Sequence, residues 1–211
     1  MKMQNAGQQL LNHKVGVDGI VFFLPKKCNA TELPFYKQLA TRLSQNTQVI
    51  LIYNVNSSVS ESLASEMPEA VCTQVSYFRV EEEDLRSTLR SYADFLRKKS
   101  ILQPLFWVFD PMWFPFIERA HRKICLYHAR TDMHCAIDRK FCDSKAELYL
   151  SRIVDRYADI VISEDPDTSE LLRRQTGYVR SIYPESDFKE DGLAEMLDKH
   201  LSPYLNTKPK Y

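Results

Sequence analysis

Three short apolar runs constrain the fold of this 211-residue chain more than any other feature. They comprise residues 105–109, 124–127 and 160–163, are rich in β-branched and aromatic residues, and are each followed by polar residues. Apolar runs this short, separated by stretches with helical periodicity, are typical of buried parallel strands joined by crossover helices. The carboxyl ends of such strands meet at one edge of the sheet, where open α/β sheets bind ligands. We therefore look for functional residues directly after these strands.

The rest of the chain continues the alternation of strands and helices. Further strand-like runs lie at residues 20–24, 49–53, 71–80 and 179–183. In residues 71–80 apolar and polar residues alternate, which indicates a half-exposed or edge strand. About six or seven strands alternating with helices predict one Rossmann-like, doubly wound α/β domain with a mostly parallel sheet. We place this domain at residues 18–201, after a polar lead-in at residues 1–17.

Two of the predicted helices carry clear apolar stripes. In a helix between an acidic cluster at residues 81–84 and a basic cluster at residues 97–99, the stripe is Leu85, Leu89, Tyr92 and Leu96. Such charges suit the two ends of the helix dipole. A later helix, predicted over residues 143–157, would bury Leu148, Ile153 and Val154.

Composition excludes several classes of protein. The 28 basic and 28 acidic residues give a formal net charge of zero, whereas nucleic-acid-binding domains usually carry a basic excess. No apolar run approaches the roughly 18 residues that a membrane helix needs. The five cysteines form no C-x-x-C pair, so reduced thiols in a cytoplasmic protein are the expected state. We expect neither a nucleic-acid partner nor a transmembrane segment.

The common ligand fingerprints of α/β proteins are absent from the sequence. There is no G-x-G-x-x-G, no G-x-x-x-x-G-K-[ST] and no G-x-S-x-G, and the chain has only five glycines. A glycine-rich loop lets backbone N–H groups approach a phosphate, and a nucleophile elbow needs its flanking glycines. These absences argue against a nicotinamide-dependent enzyme, a P-loop NTPase and an α/β-hydrolase.

Histidines and cysteines between residues 121 and 142 raise the question of a metal site. The set is His121, Cys125, His128, His134, Cys135 and Cys142. Their spacing matches no zinc pattern, and neighbours on a strand point to alternate sides. We predict no metal site.

The predicted carboxyl edge carries a small group of polar candidates. Asp132 and His134 follow their strand with no helix that they need to cap, and a carboxylate near a histidine can act as a general base toward a hydroxyl. Asp110 could act in the same site, or could cap the helix that contains Phe114. Glu164 has a similar ambiguity, because it too directly follows a strand. Trp113 could line an acceptor groove or belong to the core.

The order of these segments resembles a known family. The succession WVFDPMWFPFIERA, KICLYHARTDM, ADIVISEDPDTSELLRRQTG and VRSIYPESDF is similar to the N-terminal half of GT-B glycosyltransferases of the family-4-like group. The resemblance covers residues 18–188, mostly as strand and loop order. The first loop, KKCNAT, lacks the glycines usual in that family.

The resemblance implies that this domain is the acceptor-binding half of an enzyme of polysaccharide or glycoconjugate biosynthesis. Residues 202–211 resemble the linker to a C-terminal domain, which would bind the nucleotide-sugar donor. On that basis the present chain is expected to be part of a longer enzyme, to be inactive alone and to bind no cofactor itself.

Roles for individual residues follow from the same resemblance. Asp132 would be the base or acceptor ligand, with His134 and Arg130 positioning the acceptor, while Asp110, Trp113 and Glu164 would line the cleft. The implied partners are the C-terminal domain and a sugar or lipid-linked acceptor. A lipid-linked acceptor implies peripheral contact with the inner membrane face from the cytoplasm. The alternative is a non-catalytic Rossmann-like module that binds a partner protein or presents an acceptor to a separate subunit.

Overall fold

The computed structural model describes residues 17–26, 33–44, 48–54, 75–80, 84–121, 124–129, 144–163 and 182–184. The strands are β1 (Gly19–Phe23), β2 (Gln48–Asn54), β3 (Val75–Val80), β4 (Pro104–Val108), β5 (Ile124–Ala129), β6 (Ile160–Ser163) and β7 (Ile182–Pro184). The helices are α1 (Leu33–Ser44), α2 (Leu85–Lys98), α3 (Phe114–Arg119) and α4 (Ser144–Arg152). A 3₁₀ turn (Pro111–Trp113) leads into α3, and a π turn (Ile153–Tyr157) ends α4.

The seven strands in the described residues form one sheet in the order β3-β2-β1-β4-β5-β6-β7. Every neighbouring pair is parallel. This is the Rossmann order, in which the chain first moves outward from β1 to β3 and then crosses back to β4 on the other side of β1. The predicted doubly wound α/β fold is therefore confirmed, and β3 is an edge strand as the alternating pattern indicated.

Apolar side chains fill both faces of the sheet. On one face the strands pack against Tyr36, Ala40 and Leu43 of α1. On the other face they pack against buried residues of α2, α3 and α4, among them Tyr92 and Ile117. Because the central strands are covered on both sides, their sequences are apolar at nearly every position rather than at alternate positions.

The second face holds a cluster of aromatic rings around Phe23. Its ring centroid lies 5.1 Å from that of Phe106 and 5.8 Å from that of Trp113. Tyr92 of α2 packs at 6.3 Å from Phe23 and at 5.4 Å from Phe78. Burial raises the pKa of the Tyr92 phenol well above its ordinary value, because a phenolate in this apolar environment would lose its hydration.

The sequence specifies both ends of α2. Asp84 caps the first turn, since its side chain accepts a hydrogen bond from the Arg86 N–H at 3.0 Å. At the other end, Ser100 N–H donates to Arg97 O at 2.9 Å and Ile101 N–H donates to Leu96 O at 2.9 Å. This pair of bonds is a Schellman motif, and it requires the left-handed conformation that Ser100 adopts with φ of 58°.

Ile101 then packs directly against the start of β1. A Cβ atom added to Gly19 would lie 2.7 Å from Ile101 Cδ1 and 3.0 Å from Cγ1. Next to it, the Asp18 carboxylate accepts hydrogen bonds from Leu102 N at 2.6 Å and Gln103 N at 2.8 Å. Glycine at position 19 and aspartate at position 18 thus join β1 to the connection that follows α2.

Two leucines do not lie where the helical stripes predicted. Leu148 is 48% exposed, and Leu150 is buried instead. Leu150 lies three and four positions before Ile153 and Val154 and so shares their face of the helix, whereas Leu148, two positions before Leu150, lies on another face. Leu85, the first residue of α2, is 40% exposed, so the predicted stripe is buried only farther along the helix.

None of the helices in the described part of the chain has the length and apolar character that a membrane crossing requires.

Candidate functional site

The carboxyl ends of the central strands lie level with one another. Phe23 of β1 is in register with Val108 of β4, which is in register with Tyr127 of β5. The change of direction in the strand order falls between β1 and β4. In doubly wound sheets ligands bind in the crevice outside the strands at this switch point, so it is the candidate site.

Asp110 lies directly beyond β4 at the switch point. One carboxylate oxygen, Oδ1, accepts a hydrogen bond from the Met112 N–H at 2.8 Å and so caps the 3₁₀ turn. The other, Oδ2, accepts a hydrogen bond from the backbone N–H of Lys26 at 3.0 Å. Both oxygens therefore bind backbone amides. The bond from Met112 is the capping role that the sequence left open, and the bond from Lys26 connects the loops after β1 and β4.

Trp113 lies inside the core, against the segment after β1 that Asp110 binds. Its side chain has 0% exposure, and its indole N–H donates to the Leu24 carbonyl at 2.6 Å. The Lys26 ammonium lies 5.4 Å from the centre of the Trp113 ring. In this conformation the ring offers no surface to an acceptor, because its faces and its polar atom are engaged by protein groups.

Buried polar side chains in the described residues are concentrated at the carboxyl edge. Asn54, His128 and Ser163 are 5%, 1% and 0% exposed and lie at or next to the ends of β2, β5 and β6. In the sequence, His128 was a candidate only as part of the rejected metal set, and Asn54 and Ser163 were not candidates. The sequence does carry a signal for such residues, namely a polar residue within or at the end of an apolar run. For His128 this signal was weak, because the strand was predicted to end at Tyr127.

His128 packs against aromatic rings of the neighbouring strand. Its ring centroid lies 5.1 Å from that of Phe109 and 6.4 Å from that of Trp107. Phe109 and Trp107 belong to the face covered by α1. β5 continues through His128 to Ala129, two residues past its predicted end, because these residues pair with Ile162 and Ser163 of β6.

The histidine and cysteine of β5 lie on opposite faces of the sheet. Cys125 belongs to the core on the face of α2 and α4, whereas His128 contacts the rings on the α1 face. Within the described residues no group of three or more metal-ligating side chains comes together. His134, Cys135 and Cys142 lie outside that part of the chain.

The remaining predicted site residues also lie outside the described residues. They are Arg130, Asp132, His134 and Glu164. In the sequence Arg130 directly follows the last residue of β5, and Glu164 directly follows the last residue of β6. Their assignment to the site stays a prediction.

A scan against models of known protein families gives no match for this chain, and no curated protein is significantly similar to it. A functional assignment therefore depends on the fold and on the residues at the carboxyl edge.

Proposed function

We propose that residues 18–201 form the acceptor-binding half of a GT-B glycosyltransferase, which transfers a sugar from a nucleotide-sugar donor in polysaccharide or glycoconjugate biosynthesis. The observation that carries this proposal is the strand order β3-β2-β1-β4-β5-β6-β7. That order leaves a crevice between β1 and β4, and the motifs that resemble the family begin at β4 and continue through β5 and β6. The polar residues that follow these strands would face the acceptor.

In this proposal Asp132 acts on the acceptor hydroxyl. The carboxylate accepts the hydroxyl proton as the acceptor oxygen bonds to the donor sugar, while the nucleotide diphosphate leaves with the electron pair of the broken bond. Arg130 and His134 hold the acceptor in place, and Glu164 lines the same cleft. His128, a buried polar side chain at the end of β5, precedes Arg130 by two positions in the sequence.

The donor would be bound by a second domain. The switch-point loop of this chain has no glycine-rich stretch to accept a diphosphate. A C-terminal domain joined through residues 202–211 is thus the proposed partner, and a sugar or lipid-linked sugar is the proposed acceptor.

One observation favours the alternative of a non-catalytic module. Asp110 and Trp113 use their polar atoms to hold the end of β1, so contacts within the protein occupy the described part of the switch point. A module of this kind would bind a protein, or present an acceptor to another subunit, through a different surface.

Calorimetry distinguishes these assignments. The 211-residue chain and a form extended through any sequence that follows Tyr211 are each titrated with UDP, GDP and ADP. Binding by the extended form alone supports the acceptor-half proposal. Binding by the 211-residue chain itself would place the diphosphate site here and contradict it, and binding by neither form would favour the non-catalytic module.

A further inference from the structure

Two short segments at the switch point hold each other through hydrogen bonds that run in opposite directions. The first segment is Leu24–Lys26 at the end of β1, and the second is Asp110–Trp113 after β4. The Lys26 N–H donates to Asp110 Oδ2 at 3.0 Å, and the Trp113 indole N–H donates to Leu24 O at 2.6 Å. The partners are 84 and 89 residues apart in sequence.

Each segment is stiff. Pro25 stands between Leu24 and Lys26, and its ring fixes the backbone φ angle there. In the second segment Pro111 follows Asp110, the Met112 N–H bonds to the Asp110 side chain, and the Trp113 N–H donates to Asp110 O at 3.2 Å. When one of two bonds between stiff bodies breaks, the other loses its alignment.

We infer that these two hydrogen bonds open and close together as a single latch between the ends of β1 and β4, and that the latch opens without unfolding of the sheet. Lys26 and Asp110 are half-buried at the carboxyl edge, whereas Leu24 and Trp113 are 1% and 0% exposed, as buried as β1 and β4. Contacts at a partly exposed edge open locally at a lower free energy than the core. Opening would therefore begin at the Lys26–Asp110 bond, and the buried Trp113–Leu24 bond would lose its alignment with it. Since ligands of doubly wound sheets bind at this crevice, the latch would control access to it whether or not the chain is a glycosyltransferase.

Hydrogen exchange measured by NMR tests the inference in the ligand-free chain. The probes are the Lys26 backbone amide and the Trp113 indole N–H, with the buried Trp107 indole N–H as the reference for the core. We expect the Lys26 and Trp113 protons to have the same protection factor, and one below that of Trp107. Different protection factors for Lys26 and Trp113 would mean that the two bonds open independently.

Variants test the coupling directly. Asp110→Asn weakens the bonds from Lys26 and Met112 and leaves the atoms of the Trp113–Leu24 bond unchanged. The latch nevertheless requires the protection of the Trp113 indole to fall, by about tenfold or more, since a bond to a charged group is lost. In Trp113→Phe, which keeps an aromatic ring but loses the indole donor, the protection of the Lys26 amide should fall in turn. If each variant affects only its own bond, the latch does not exist.

Asp18→Asn is the matched control, because Asp18 also binds two backbone amides, Leu102 N and Gln103 N, but at the opposite edge of the sheet. The Asp18 bonds persist whether the latch is open or closed. We therefore expect this variant to lower the protection of Trp107, which exchanges through unfolding of the core, and to leave Lys26 and Trp113 unchanged. If both latch protons lose protection together with Trp107, they exchange only through global unfolding and the inference is wrong.

Discussion

The carboxylate of Asp110 accepts a hydrogen bond from the backbone N–H of Lys26 at 3.0 Å, although the two residues are 84 positions apart. β1 and β4 are neighbours in the sheet, so this bond continues the contact between them beyond the last backbone pair. The same carboxylate caps the 3₁₀ turn through Met112 N. One side chain thus fixes the geometry of the crevice at which we place the functional site.

Replacing Asp110 by alanine should lower the stability of the domain. The change leaves the amides of Lys26 and Met112 without their acceptors, and we expect a loss of about 1–3 kcal/mol in the free energy of unfolding. Urea denaturation followed by tryptophan fluorescence measures it. Asp94→Ala is the control, because Asp94 forms an ion pair with Arg97 on the exposed surface of α2 and its loss should change stability by no more than about 0.5 kcal/mol. Equal effects of the two variants would contradict the capping role.

Ser100→Gly should raise stability. Ser100 has φ of 58° at the end of α2, and this conformation costs a residue with a Cβ atom about 1–2 kcal/mol. Glycine avoids that cost but has more freedom in the unfolded chain, so the net gain should be about 0.5–1 kcal/mol. Thermal denaturation measures it, with Ser100→Ala as the control that keeps the strain. A gain in the alanine variant equal to that in the glycine variant would show that backbone strain is not the cause.

Gly19→Ala should destabilise the domain through its contact with Ile101. The new methyl group would meet Ile101 Cδ1 at 2.7 Å, and Ile101 is buried and β-branched, so it has little freedom to move. We expect a loss of about 1–3 kcal/mol in the free energy of unfolding. The double variant Gly19→Ala with Ile101→Val removes the closest atom and should be less unstable than the sum of the two single changes. Simple additivity in this double-mutant cycle would argue against the clash.

Tyr92→Phe should leave stability near neutral pH unchanged or raise it by about 1 kcal/mol. The Tyr92 side chain is 1% exposed, and its hydroxyl has no hydrogen-bond partner among the described residues. Replacing a buried hydroxyl that lacks a partner loses no hydrogen bond and removes the desolvation cost that the folded state carries. Urea denaturation of the two proteins measures the difference, and a clear loss of stability in the phenylalanine variant would mean that the hydroxyl is bonded.

The same substitution should alter stability in alkaline solution. The pKa of Tyr92 is raised in the folded protein by burial, so above about pH 10 the unfolded chain releases this proton while the folded chain keeps it. The folded state then loses stability as the pH rises, by up to about 1.4 kcal/mol per pH unit. Tyr92→Phe removes this loss, so the difference in unfolding free energy between variant and wild type should grow above pH 10. A constant difference from pH 7 to pH 11 would contradict the raised pKa.

The strands could be predicted from the sequence because their signal is local. A strand buried on both faces is apolar at nearly every position, as in residues 105–109 and 160–162, and the right-handedness of parallel crossovers leaves few ways to order such strands. The role of Trp113 could not be predicted. Its burial depends on a carbonyl at Leu24, 89 residues away, and no pattern around residue 113 records that contact.

The site was harder to predict for a similar reason. A polar residue after a strand can cap a turn or face a ligand, and the choice depends on which distant backbone groups lie within reach. For Asp110 those groups are the amides of Met112 and Lys26, and only the first was foreseeable from the adjacent sequence. His128 was considered only as a metal ligand, because its burial beside Phe109 could not be foreseen from the adjacent sequence.

Asp132→Asn tests the proposed chemistry in a form of the protein that transfers sugar. If the Asp132 carboxylate is the general base, the amide cannot accept the hydroxyl proton, and turnover should fall by roughly a hundredfold or more. The acceptor KM should change much less, because asparagine keeps the shape and one acceptor oxygen. Asp18→Asn serves as the matched control, since that carboxylate also binds backbone amides but at the opposite edge of the sheet, and its loss should affect stability more than turnover. Near-normal turnover of Asp132→Asn would rule out the base, and an equal loss in both variants would mean that the effect comes from disturbed structure rather than from proton transfer.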